Sequence, residues 1–334
     1  MIARHSPSAH TAYHDLLRSL KDEAISMLRG TPEKVSRKNR AYWYDTYRIG
    51  SEVKKAYIGE DTPELSARIA GLQTLRTQTA ERKKNRTRLV RILREEGLTS
   101  VDSGTGSLLS AMENAGVFRL GGTLVGTHAF RLYEGELGIR LGRDEAAMTD
   151  DVDIASFEQL SLALKDRVSP DLQQVLTDFR FEAIPSLDAR KVWRWKQTRS
   201  EILVEFLTPS FEEDEGIRHL AALGVDAQSL HHLNYLLAEP IKAAALYRSG
   251  VLVQIPRPER FAIHKLIVAD RRKDRLKSRK DLMQAEFLIN VLSEDRPDEL
   301  QEAYNEAMEI GPKWQKRIAA SLDKLPETRK QLEV

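Results

Sequence analysis

Among the residues of this chain, Thr149-Asp150-Asp151-Val152-Asp153-Ile154 most directly suggest chemistry. In an extended strand, residues two apart point to the same side, so Asp151 and Asp153 project together while Val152 and Ile154 face a core. Two carboxylates this close repel each other unless a cation lies between them. Oxygen pairs of this kind suit Mg2+, which keeps waters and substrate phosphates as its remaining ligands. A third acid, Glu205, lies within the apolar run Ile202-Leu203-Val204-Glu205-Phe206-Leu207. Two readings of it stand open. It joins the aspartates from an adjacent strand and completes a metal-binding triad, or it faces solvent paired with Arg194 or Lys196. Upstream, Leu124-Val125-Gly126-Thr127-His128-Ala129-Phe130 reads as a strand, a glycine turn and a helix start. Exposed backbone N–H groups at such a turn bind phosphate, and glycine lets the backbone come close.

Other chemistries are excluded or weakly signalled. The chain has no cysteine, which removes disulfides, Cys-zinc sites, iron–sulfur clusters and thiol nucleophiles. Neither a G-x-x-x-x-G-K-[ST] loop nor a G-x-S-x-G elbow occurs, against a P-loop NTPase or a common serine hydrolase. His128 at a helix start reads as structural, and His231-His232 lacks an acid at metal-ligand spacing.

The elements that must position these residues are legible in outline. Strand-like segments at 179–184, 192–196 and 201–207 join the Asp151–Asp153 strand in a mixed sheet. Helices are expected at about 258–272, 277–293, 297–309 and 312–323, with strands or turns near 251–256. Before the sheet, Leu16, Leu17, Leu20, Ile25 and Leu28 mark a first helix closed by Gly30. Residues 41–58 read as a hairpin around Ile49-Gly50-Ser51, and 62–97 as one long helix begun at Thr62-Pro63-Glu64. The fold class is α/β (α+β): a basic, mostly helical arm over 1–115, an α/β core over 116–210 and a mainly helical region over 211–334.

Charge is uneven along the 334 residues. Residues 1–100 carry 20 Lys and Arg against 12 Asp and Glu, whereas the whole chain is only +2. Concentrated positive charge suits a polyanionic partner; a solvated helical face is the plainer alternative. Lys84, Arg88 and Arg91 share one helix face by spacing. The hairpin interleaves Tyr42, Trp43, Tyr44, Tyr47 and Tyr57 with Arg40, Arg48, Lys54 and Lys55. Such a ribbon can stack bases and hold phosphates, or pack its aromatics on a neighbouring helix. A second basic cluster, Arg271-Arg272-Lys273, Arg275, Lys277 and Arg279-Lys280, reads as a nucleotide or nucleic-acid contact. There is no run of 18 apolar residues and no apolar stretch in Met1–His10, so a cytoplasmic protein without a membrane span is expected.

The glycine turn, the D-h-D strand and the later acid, in that order, resemble the DNA polymerase β-type nucleotidyltransferase superfamily. Thr-Asp-Asp-Val-Asp-Ile-Ala and Ile-Leu-Val-Glu-Phe-Leu-Thr-Pro resemble its bacterial toxin-antitoxin and abortive-infection members. Ile255–Leu266 and Arg279-Lys280-Asp281-Leu282 resemble that group's helical half. The likeness covers about residues 118–295. The gap from Gly126 to Asp151 is longer than in compact members, and Thr127 stands where Gly or Ser is usual, keeping a hydroxyl. The resemblance implies transfer of an NMP from an NTP to a hydroxyl. Asp151, Asp153 and Glu205 would hold two Mg2+ ions, and Gly126-Thr127 with Lys265 or Lys280 would hold the β,γ-phosphates. A basic arm favours RNA, in particular a tRNA-like end, as acceptor, with a protein partner as another use of the arm. The rival is a non-catalytic nucleic-acid-binding or antitoxin-like protein on the same fold.

Overall fold

Computed as a structural model, the chain is described at all residues except 1, 29, 38–39, 50–51, 143–150, 158–165, 187–190, 212–213 and 333–334. Gly50-Ser51, Thr149-Asp150 of the acidic motif, residues 143–148 of the long gap before it and the Arg48 side chain lie outside the described residues.

Alternation builds the central strand. In β5 (Asp151–Ala155), Val152 and Ile154 are fully buried, while Asp151 and Asp153 between them are not. Each buried aliphatic side chain contributes about 1.5–3 kcal/mol, so a one-residue slip that turned the aspartates inward is strongly disfavoured. β4 (Thr123–Val125) pairs antiparallel to β5, and β8 (Leu203–Pro209) pairs parallel on its other side. The parallel pair needs a crossover. It contains α7 (Leu172–Asp178) and a hairpin of β6 (Phe181–Ala183) and β7 (Arg194–Gln197). β8 changes neighbour along its length. Leu203–Glu205 lie beside antiparallel β7, and Leu207–Pro209 beside parallel β10 (Val225–Leu230), with β9 (Ile217–Leu220) outermost. The mixed sheet thus runs on past residue 210.

Helices cover this sheet. α5 (Ser103–Ala115) starts at Asp102, whose side chain accepts from Thr105 N, and stops at left-handed Gly116. α6 (Gly126–Leu137) leaves β4 directly and ends at left-handed Gly138. Phe130 and Tyr133 of α6 pack on Phe261, with ring centroids 6.2 and 5.3 Å apart. Phe261 belongs to α9 (Pro258–Arg271), which is buried along most of its length. α10 (Arg275–Asp295), α11 (Pro297–Glu309) and α12 (Pro312–Leu322) pack around α9, and α13 (Pro326–Leu332) follows. The short α8 (Leu233–Leu236) lies against α9. The expected helices near 258–272, 277–293, 297–309 and 312–323 are therefore present. Their starts at Pro258, Pro297 and Pro312 use proline where a helix lacks N–H partners.

The N-terminal region departs from expectation in two ways. First, the 41–58 hairpin is part of a three-stranded sheet, because β2 (Arg40–Ile49) and β3 (Glu52–Glu60) are joined by β1 (Thr31–Arg37). Second, the single helix over 62–97 is three: α2 (Pro63–Ala70), α3 (Leu72–Thr77) and α4 (Thr79–Glu95). Gly71 caps α2, and the polar, threonine-rich stretch around Gln78 has little helix propensity to carry the chain through.

The arm is tied to the core by specific bonds. Ser6 caps α1 (Pro7–Ser26), and Ala244 N donates to the Tyr13 hydroxyl at 3.1 Å. That bond docks α1 on the hairpin of β11 (Ile241–Ala245) and β12 (Val251–Ile255). Tyr57 N donates to Asp166 Oδ2 at 2.9 Å, and Arg119 pairs with the same carboxylate. Two of the hairpin aromatics are engaged within the arm: Tyr44 is buried, and Trp43 Nε1 donates to Asp61 Oδ1 at 2.7 Å.

Candidate active site

The site begins where β4 runs into α6. Gly126 has φ +66°, and a Cβ there would lie 2.5 Å from Asp153 Oδ2. Glycine is required twice: for the left-handed backbone, and for the approach of the carboxylate to the first residue of the helix. α6 has no side-chain N-cap, so the partial positive charge of its first turn lies near Asp153. Thr127, in that turn, is buried.

One row across the sheet carries the acids. Asp153 on β5 is the cross-strand partner of Glu205 on β8, and Glu205 in turn is the partner of Arg194 on β7. Partners in register project to the same face. The Asp153 and Glu205 carboxyls are close enough to interact, and Asp151 lies close enough to act on Asp153 electrostatically. Burial first, then Glu205 and Asp151, push the Asp153 carboxyl up to about 7; Lys265 opposes them. Carboxyls this close repel each other when both are charged, which favours a shared proton or a cation.

Glu205 has both of the neighbours expected for it, the aspartate strand and a cation. It meets Asp153 on one side and, on the other, forms an ion pair with Arg194, whose Nε lies 2.7 Å from Oε1. Arg194 also stacks on Trp193 at 4.3 Å from the ring centroid. Lys196 pairs instead with Glu201.

The second wall comes from α9 and α10. Lys265, one turn after Phe261 and lying over its ring, is buried and bonds to Asp281 Oδ1. The other oxygen of Asp281 accepts from Arg272 Nε at 2.7 Å. Asp281 is thus a fork that holds two cations from α9 and its end, and both hold its carboxyl below the usual range against the opposing effect of burial. Lys280, the next residue, has its ammonium pushed down by burial and by Lys265, while Asp281 and Asp151 pull the other way. Lys265 is therefore within electrostatic reach of Asp153, and Lys280 of Asp151.

Lys84, Arg88 and Arg91 lie apart from these elements. They occupy the exposed face of α4, whose opposite face buries Val90, Leu93 and an Arg86–Glu23 pair at 2.8 Å. Among the described residues no acid pairs with any of the three. His232 packs edge-on against Trp314, with ring centroids 4.7 Å apart. Burial lowers its imidazole to about 4, a packing role.

Sequence spacing missed the role of Asp281. Its partner Lys265 is sixteen residues away and on another helix, so only the turn between α9 and α10 brings them together. The Arg194 contact was foreseeable only as an alternative to the acid row, whereas it coexists with it.

Among the described residues no group of three or more His, Asp or Glu side chains is gathered tightly enough to form a metal cage by itself. The donor chemistry nevertheless suits a magnesium ion, since the Asp153 and Glu205 carboxyls interact and Asp151 is in electrostatic reach. No helix is long and apolar enough to cross a membrane.

Comparison with known families agrees with this geometry. A family profile described as Nucleotidyltransferase matches residues 103–309, the span from α5 through α11. A second, described as a domain of unknown function (DUF6788), matches residues 12–67, that is α1, the three-stranded sheet and the start of α2. Among curated proteins none matches. The first match covers more than half of the chain and holds the glycine turn, the acid row and the Lys265–Asp281 pair, so this chain belongs to the nucleotidyltransferase family and is a transferase enzyme.

Proposed function

We infer that the chain moves an NMP from an NTP to a hydroxyl of RNA, with a tRNA-like end as the acceptor, in the manner of the toxin and abortive-infection enzymes its motifs resemble. The observation that carries the reading is the cross-strand contact of Asp153 with Glu205 beside the Gly126 turn.

Asp151, Asp153 and Glu205 would hold magnesium. When bound, it neutralises phosphate charge and makes the attacking hydroxyl more acidic. The chain's own groups do the rest. Gly126 and Thr127 present helix N–H groups to the triphosphate, the role a helix start plays for anions. Lys265 and Lys280 supply charge on the opposite wall, and Asp281 holds Lys265 in place. Glu205 faces the acceptor side, where its carboxylate can take the hydroxyl proton while Arg194 fixes its orientation. Catalysis of this kind is mostly positioning and electrostatic stabilisation. The exposed cations Lys84, Arg88 and Arg91 hold the RNA body away from the site.

The test is incubation of the purified protein with each NTP labelled at the α-phosphate, magnesium and total RNA. Label in RNA with release of pyrophosphate is the expected result. Label in protein alone would reassign the acceptor, and pyrophosphate release from no NTP would end the reading.

A further inference from the structure

The start of α10 breaks the rules of helix stability. Asp274 is its N-cap and accepts from Leu276 N and Lys277 N at 2.9 and 3.2 Å. The third helical position, where a capping box places Glu or Gln, is Lys277. Position one is Arg275, and no acid stands in the first turn. Cations there face the positive end of the helix dipole. Lys273, Arg275, Lys277 and Arg279 are all exposed, and among the described residues none of them pairs with an acid. Their neighbours differ: Arg271 is held by Glu215 at 2.9 Å and Arg272 by Asp281. Leu276, amid these charges, is 81% exposed, the most exposed large apolar residue among the described residues.

This strip is continuous with the active site. Leu276 and Lys280 stand one helical turn apart on the same face, and Lys280 is within electrostatic reach of Asp151. Four unneutralised cations, two of them (Arg275 and Lys277) in the first turn where helix stability calls for acids, and an exposed leucine suit a polyanion that also offers apolar surface.

We propose that the turn joining α9 and α10, with Lys273, Arg275, Lys277, Arg279 and Leu276, is the docking strip that feeds the reacting end of the acceptor RNA to the carboxylates. The inference rests on RNA being the acceptor, and adds a contact beside the chemistry to that of the arm. The cations hold successive phosphates of a single strand; Leu276 lies under a base.

The experiment uses the full chain and a 5′-fluorescein-labelled transfer-RNA transcript, followed by anisotropy across a salt series. A Lys273→Ser, Arg275→Ser and Lys277→Ser variant should lose about tenfold or more in affinity. Its log–log salt slope should flatten by roughly 2, because each lost single-strand phosphate contact removes about 0.7. Leu276→Ser should weaken binding without changing the slope. Arg275→Glu with Lys277→Glu should bind RNA worse yet melt at the same or a higher temperature, which separates docking from folding. Wild-type RNA affinity and slope in these variants, alongside unchanged RNA labelling, would overturn the strip alone. Failure of the wild-type protein to bind or label RNA would overturn the strip and the acceptor together.

Discussion

Replacing Gly126 by Ala should damage activity far more than stability, and the two costs can be worked separately. The backbone at Gly126 has φ +66°, a region that costs an L-residue about 1–2 kcal/mol. For a chain of this size that corresponds to a melting shift of roughly 2–8 °C. The new Cβ would stand 2.5 Å from Asp153 Oδ2, whereas ordinary contact begins at 3.4 Å. The carboxylate must therefore retreat by nearly an ångström, and a misplacement of about 1 Å can cost about 10²-fold in rate. Gly138 supplies the control. It caps the other end of the same helix with φ +65°, and its Cβ would lie nearest the His10 ring, at 3.0 Å. Gly138→Ala should show a similar melting shift with nearly full turnover. Thermal melts and initial rates of nucleotidyl transfer, measured side by side, decide the matter. If Gly126→Ala loses no more rate than Gly138→Ala, the claim that Asp153 works from its seat on the Gly126 turn is wrong.

Further predictions follow from the charges. The Asp153 carboxyl is raised from 3.8 to about 7 in the fold, so between those values the folded state binds the extra proton. Its contribution to stability is present below about pH 4 and is lost as pH rises through about 7. Asp153→Asn, which never ionises, should thus be more stable than wild type at about pH 8 without magnesium, the gain vanishing toward about pH 4 in urea titrations. Asp281→Ala strands the buried Lys265 and should cost about 3–5 kcal/mol, whereas Arg194→Ala, breaking a partly exposed pair, should cost under about 1 kcal/mol; equal losses in denaturant unfolding would reject the fork. Changing Lys84, Arg88 and Arg91 together to Ala should weaken RNA binding and flatten its salt dependence, while fluorescent-NTP titrations stay unchanged.

The acids of the site were legible in the sequence because strand alternation is a strict rule: Val152 and Ile154 can be buried only if Asp151 and Asp153 project elsewhere. Glu205 was legible as an anomaly, an acid in an apolar strand, though its two neighbours depended on pairing that no local pattern reveals. The C-terminal helices announced themselves through Pro258, Pro297 and Pro312. Strand β1 did not, since Thr31–Arg37 has one aliphatic residue and a proline and is held in strand form by pairing with β2. Strands β9 and β10 escaped for a related reason: Ile217–Leu220 and Val225–Leu230 are short and half polar, and their burial comes from the sheet they join. The aromatic ribbon shows composition pointing two ways, because Trp43 and Tyr44 have the residue types of a stacking surface and are used to pack the arm.

The central claim is that the Asp153–Glu205 row performs nucleotidyl transfer. Its most direct test is single-turnover transfer from an α-labelled NTP to RNA by wild type, Asp153→Asn and Glu205→Gln, with melting curves for each. Loss of transfer by about 10³-fold or more in both variants, with their folds kept, is the expected result, since each removes charge from a site that works by electrostatic stabilisation. Wild-type turnover in either folded variant would contradict it.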